Sequence, residues 1–207
     1  MSSRLIVFGA GGHGRAVADL ATECGFAVLG MTEPARSRPG VIGDDARGAA
    51  LLRAGEADGG IVGVGNSELR RRATLFHEIR QCGHPVPTLV HPRAVVSRSC
   101  GVGEGVVIFA GCVLGAGVRV GDNAVLYSGA IAEHDCVIGD HAYLAPAVVL
   151  SGGVRIARGA FLGVGAVVLP DITIGENAIV GAGAVVIADV APGQTVAGVP
   201  ARARANA

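Results

Sequence analysis

Every sixth residue from position 96 onward is apolar: Val96, Val102, Ile108, Leu114, Val120, Leu126, Ala132, Ile138, Leu144, Leu150, Ile156, Leu162, Val168, Ile174, Val180 and Val186. Four positions after each comes a small or medium residue, as at Cys100, Val106, Cys112, Val118, Ala124, Ala130, Cys136 and Ala142. Glycine often follows the aliphatic directly, as at Gly103, Gly115, Gly121, Gly139, Gly163, Gly175 and Gly181. An uninterrupted hexapeptide repeat predicts a parallel β-helix in which each unit makes one face of a coil and neighbouring coils bury one another's aliphatics.

The first 85 residues follow a different rhythm. "RLIVFGAGGHG" is an apolar run ending in a glycine-rich turn, "RAVADLATECG" reads as a helix closed by Gly25, and "FAVLGMTE" reads as a second strand. A polar loop, a helix through "DDARGAALLRAGEAD", a third strand "GGIVGVG" and a helix "SELRRRATLFHEIRQCG" complete the unit. Such alternation predicts a parallel sheet covered by helices. The expected division is an α/β unit over 1–85 and a β-helix over 86–207.

Composition narrows the chemistry. All 17 basic residues are Arg, so Schiff-base chemistry and a Walker-type phosphate lysine are excluded. Basic and acidic residues balance at 17 each and no basic patch is interleaved with aromatics, which argues against nucleic acid as a partner. With neither a signal peptide nor an apolar span near 18 residues, a cytoplasmic protein is expected, its five scattered cysteines reduced.

Two clusters carry candidate chemistry. Gly9, Gly11 and Gly14 form G-x-G-x-x-G between strand and helix, and Glu33 lies at the end of the next strand. This nearly matches the dinucleotide fingerprint, in which backbone N–H groups at a helix N-terminus meet phosphates. Against an NAD-dependent oxidoreductase stands the size of the α/β unit, about half that of a full dinucleotide fold. A nucleotide-sugar offers the same diphosphate and ribose.

The second cluster is "IAEHDCVIGDH", residues 131–141. The six-residue register sends Ala132, Cys136 and Ile138 inward, so Cys136 reads as core rather than nucleophile. His134 and His141 fall on successive faces, which argues against a zinc site. What remains is an acid/base reading: His134 as a general base, with Asp135 or Glu133 orienting the ring. Gly152 lies 18 residues after His134, hence one coil on and about 4.8 Å away, where its N–H could meet a thioester oxyanion.

The repeat, the "FGAGGHG" turn and the "EHDC" coil together resemble the hexapeptide-repeat sugar acetyltransferases that modify nucleotide-linked 4-amino sugars or sialic acid. The resemblance implies a Rossmann-like N-terminal domain holding the nucleotide-sugar and a left-handed β-helix carrying out acetyl transfer. It places Gly11, Gly12, His13, Gly14 and Arg15 at the diphosphate, Glu33 at ribose or base, and Asn66 and Arg70 at the edge of the nucleotide. Of Arg70, Arg71 and Arg72, two are expected on a solvated helix face. The resemblance further implies His134 as general base with Asp135 beside it, and acetyl-CoA as co-substrate without a metal. Tyr143 stands where relatives often carry a second histidine, Gly163 and Ala182 would line the pantetheine channel, and Arg202, with Arg204 near it, would meet coenzyme A phosphates. A homotrimer is implied as well. The expected reaction is N-acetylation of a nucleotide-linked dideoxy amino sugar for surface polysaccharide such as O-antigen. Two alternatives stay open, O-acetylation of a sugar hydroxyl and a β-helix that binds without catalysing. The sequence does not choose among GDP, UDP and dTDP.

Overall fold

The structure is a computed structural model, which describes residues 3–34 and 38–204. The chain divides into two compact units, 1–92 and 93–207.

In the first unit, strand β1 (Arg4–Phe8) lies between β2 (Ala27–Thr32) and β4 (Gly59–Val62), and β3 (Val41–Gly43) pairs outside β2. All pairings are parallel. The three-residue strand β3 falls within the segment read from sequence as a polar loop. Its edge place in the sheet, through Met31↔Val41 and Thr32↔Gly43, makes so short a strand viable. Helices α1 (Gly12–Glu23), α2 (Asp45–Arg53) and α3 (Leu69–Gln81) cover the sheet. Asp44 caps α2 by accepting from the Arg47 N–H at 2.8 Å, satisfying one of the open donors of the first turn.

Arg72 departs from the expectation for its triplet, since it is fully buried rather than solvated. It shares one face of α3 with Leu75, Phe76 and Ile79, at the i, i+3, i+4, i+7 spacing of a core-facing stripe. Its guanidinium donates to the Val64 carbonyl.

The second unit is a left-handed parallel β-helix of two-residue strands stacked in three faces. Residues 18 apart pair in register along each face, as in Ile131↔Val149 and Ala132↔Leu150. The inward aliphatics from Ile108 to Val186 and the small residues from Val106 to Val190 are buried and form one continuous core. Each fully buried Leu, Ile or Val contributes about 1.5–3 kcal/mol, so the repeated column of aliphatics is what holds the coils together.

Corners between the faces require a left-handed residue three places after each aliphatic. Gly fills many of these positions, but Asn123, Asp135, His141, Ala147, Asp171 and Asn177 adopt it with φ between 54° and 61°. Asn and Asp tolerate this region better than other non-glycine residues.

Candidate active site

The glycine-rich turn of the first unit combines two kinds of glycine. Gly9 has φ +127°, and a Cβ there would lie 2.8 Å from the Gly63 carbonyl; a Cβ on Gly14 would lie 2.0 Å from the Gly9 oxygen. These two glycines let α1 pack closely on the sheet. Gly11 and Gly12 have open space where a Cβ would be, and both line a cleft of about 410 Å³. No side chain caps α1 at Gly11, so the first N–H groups of the helix face an anion-compatible opening.

His13, Glu33 and Asn66 also line this cleft, together with Thr32 and Arg71. Gly14, Arg15 and Arg70 are not among the lining residues. Arg15 instead donates to the Ala10 carbonyl at 3.3 Å. Arg71 is held by Asp45 at 2.7 Å and Glu68 at 3.1 Å, which raises its pKa. Arg38, unremarked in the sequence, donates to the Ala10 carbonyl at 3.2 Å and pairs with Glu33 at 3.7 Å. His13 is buried with Arg72 Nη1 3.3 Å from its Nε2. Burial first, and then the neighbouring guanidinium, push its pKa down to about 3, so the ring is neutral at physiological pH.

A second cleft, of about 490 Å³, cuts one corner of the β-helix and is lined by His134, Asp135, Gly152, Gly153, Arg155, Pro170 and Asp171. Consecutive residues His134 and Asp135 meet here because Asp135 takes the left-handed corner conformation, φ 61°. His134 Nδ1 lies 3.0 Å from Asp135 Oδ2. That hydrogen bond chiefly raises the His134 pKa, with smaller contributions from the charges of Asp135, Glu133 and Asp171. The other nitrogen, Nε2, leans over the next coil, where a Cβ on Gly152 would lie only 2.5 Å away. Gly152 is therefore glycine because the imidazole occupies the place of its side chain. No acceptor for the Gly152 N–H is found among the described residues.

The neighbouring polar groups have other tasks. His141 is buried and its Nδ1 lies 3.0 Å from Asn123 Nδ2, away from the residues that line the His134 cleft. Cys136 is fully buried and its thiol donates to the Ser151 carbonyl at 3.1 Å; burial raises its pKa. An inward, protonated thiol is unsuited to nucleophilic attack.

The residues expected at coenzyme A lie elsewhere on the second unit. Tyr143 is 4% exposed and sits in an aromatic column, with ring centroids 5.9 Å from Tyr127 and 5.8 Å from Phe161. It does not line the His134 cleft. Gly163 and Ala182 stack on another corner, where a Cβ on Gly163 would lie 2.6 Å from the Ala182 nitrogen. Arg202 is exposed on the short terminal strand Arg202–Ala203. Among the described residues no group of three or more His, Cys, Asp or Glu side chains is arranged to hold a metal.

Comparison with known proteins agrees with this layout. The PglD N-terminal domain model matches residues 4–75, and the bacterial transferase hexapeptide model matches residues 153–188. PerB from Caulobacter crescentus, solved in complex with CoA and GDP-perosamine, is 37% identical over 97% of both chains, with TM-score 0.92. The acetyltransferase domain of PglB from Neisseria gonorrhoeae, solved with acetyl coenzyme A, is 34% identical over 99% of this chain and 100% of its own, with TM-score 0.89. The chain belongs to the hexapeptide-repeat sugar acetyltransferases. WeeI from Acinetobacter baumannii has the same architecture, at 25% identity, TM-score 0.84 and coverage of 97% of this chain and 99% of its own. No curated protein matches the chain.

Within this sugar acetyltransferase family, Asp171 and Arg155 are cleft residues that the sequence reading passed over. Asp171 stands 36 residues after Asp135, two coils on at the same corner position, so the stacking rule that locates Gly152 locates Asp171 as well.

Proposed function

We propose that the protein is an acetyl-CoA-dependent N-acetyltransferase acting on a nucleotide-linked amino sugar. The observation that carries this reading is His134, oriented through Nδ1 by Asp135 and poised through Nε2 above the open N–H of Gly152. The amine attacks the thioester carbon while His134 takes one of its protons. The Gly152 N–H receives the negative charge that develops on the carbonyl oxygen, and collapse of the adduct expels coenzyme A, whose sulfur recovers the proton from His134. Residues 86–207 are the acyl-transfer unit on this reading, with no covalent enzyme intermediate. PerB, crystallised with CoA and GDP-perosamine, provides the model for both substrates. One histidine of that enzyme has been replaced by asparagine in a further structure. In the present chain the geometry favours the exposed His134 for the base, and not the buried His141.

Residues 1–85 would hold the nucleotide, with the diphosphate against the Gly11 and Gly12 amides and the ribose or base toward Glu33 and Asn66. The pantetheine arm would run along the Gly163–Ala182 corner beside the exposed Val164, and Arg202 would meet the coenzyme's phosphates. A homotrimer accounts for an outward stripe of aliphatics on one face: Val95 and Val113 are exposed, and Ile131, Val149, Val167 and Val185 above them are half-buried. A cytoplasmic setting accords with five free thiols and with the absence, among the described residues, of a helix long and apolar enough to cross a membrane.

The test is thiol release from acetyl-CoA with a panel of GDP-, UDP- and dTDP-linked amino sugars and their hydroxyl counterparts. Turnover confined to amino sugars is expected. Turnover only with hydroxyl acceptors would replace the reading by O-acetylation, and binding without any thiol release would leave a non-catalytic β-helix.

A further inference from the structure

The cleft beside His134 has a second wall. A Cβ on Gly152 would strike His134 Nε2 at 2.5 Å, and a Cβ on Gly153 would strike Asp171 Oδ1 at 2.3 Å. The two glycines thus make a notch into which an imidazole leans from the coil on one side and a carboxylate from the coil on the other. Backbone hydrogen bonds fix this arrangement: Gly153 N–H donates to the His134 carbonyl at 2.9 Å, and Asp171 N–H donates to the Gly152 carbonyl at 3.0 Å. The Asp171 carboxylate makes no hydrogen bond or ion pair within the described residues and is exposed to the cleft.

A primary amine attacking a carbonyl points its lone pair at carbon and has two N–H bonds left to place. A hydroxyl has one O–H. Taking His134 as the base, we infer that Asp171 accepts the second N–H of the acceptor and thereby selects amines over hydroxyls. The N–C bond forms and the C–S bond breaks. One amine proton passes to His134 and on to the coenzyme sulfur, while the other stays on nitrogen and becomes the amide N–H. Until the first proton leaves, the nitrogen of the tetrahedral adduct is positive, and a carboxylate facing it lowers the cost of that charge. A hydroxyl acceptor gains nothing from Asp171 and leaves a carboxylate unpaired beside it.

The corner geometry allows a clean test. Gly stands at the equivalent left-handed corner position at Gly105, Gly111 and Gly117, and Asn at Asn123 and Asn177, so both Asp171→Gly and Asp171→Asn fit the backbone. The full chain is assayed with its best nucleotide amino sugar as substrate and the corresponding hydroxy sugar as competitive inhibitor. Asp171→Gly is expected to lower kcat/KM for the amine by about 10- to 100-fold, the effect of losing one charge-assisted hydrogen bond. The inhibition constant of the hydroxy sugar is expected to stay within about 3-fold, since that ligand has no second proton to place. Asp171→Asn, which keeps an acceptor oxygen without the charge, should fall between Asp171→Gly and the unaltered enzyme. Unchanged amine turnover in Asp171→Gly, or parallel losses for both ligands, would overturn the selection role while leaving amine acetylation intact. Thiol release by the unaltered enzyme with hydroxyl acceptors alone would remove both.

Discussion

The two clefts each set a histidine beside glycines, and they treat it in opposite ways. His13 is buried against a buried arginine and held neutral, whereas His134 stands in solvent against an aspartate and is favoured in its protonated form. The glycines differ as well. Gly9 and Gly14 bring backbone to backbone so that a helix can rest on a sheet, while Gly152 gives way to the imidazole itself. A glycine-rich turn with a histidine thus signals little until its neighbours are known. Desolvation beside a cation yields a fixed neutral wall of a binding site, and an exposed ring beside a carboxylate yields a group that can exchange protons.

That contrast can be broken most severely at Gly152. Gly152→Ala places a methyl group on His134 Nε2, so kcat is expected to fall by about 10²- to 10³-fold, as when an oxyanion donor or its alignment is lost. Unchanged turnover with an unchanged melting curve would mean that the ring does not work from above Gly152. Gly25→Ala, at a helix end with open space around it, should cost stability rather than rate.

The next effect is on stability. Unfolding returns His13 to an ordinary pKa near 6.5 from a folded value of about 3, so the unfolded chain binds the extra proton between these limits. Stability is full above about pH 6.5 and is lost on acidification by up to about 1.4 kcal/mol per pH unit through that window. His134 acts in the reverse sense, since its raised pKa favours the fold below the unfolded value and that contribution is lost as pH rises through the folded value. Urea melts at pH 7 and pH 4.5 should show the first unit weakened at the lower pH, with the loss reduced in His13→Gln. Equal pH dependence in that variant would assign the acid lability to other groups.

Smaller still is the kinetic effect of the aspartate. Because Asp135 raises the His134 pKa, the rising acid limb of kcat/KM should lie above the ordinary imidazole value of about 6.5, and Asp135→Asn should move it to lower pH. An unmoved limb would show that another group titrates. The smallest effect expected is a gain. Ala147 occupies a left-handed corner with φ 58°, so Ala147→Gly should raise stability by up to about 1 kcal/mol in thermal melts, with kcat unchanged.

Much of this was legible in the chain because the hexapeptide register is unbroken. Once Ala132 is inward, Cys136 must be core, and His134 and Gly152 must stack. What escaped followed from rules applied too briefly. The stacking rule extended by one coil reaches Asp171, and the helical period that places Leu75, Phe76 and Ile79 inward also places Arg72 there, although its position in a run of three arginines suggests solvent. Strand β3 escaped for a different reason: three residues give no period, and only the edge of an existing sheet makes them a strand. Tyr143 shows the limit of resemblance, since its column of aromatic contacts arises from residues 18 apart on one face and not from any single motif.

The role of His134 is tested most directly by steady-state thiol release in His134→Gln, using acetyl-CoA and the preferred nucleotide amino sugar. A loss of about 100-fold or more in kcat, with KM for acetyl-CoA within about 3-fold of the unaltered enzyme, is the expected result for removal of the base. An unchanged kcat would contradict it and return the cleft to a binding surface.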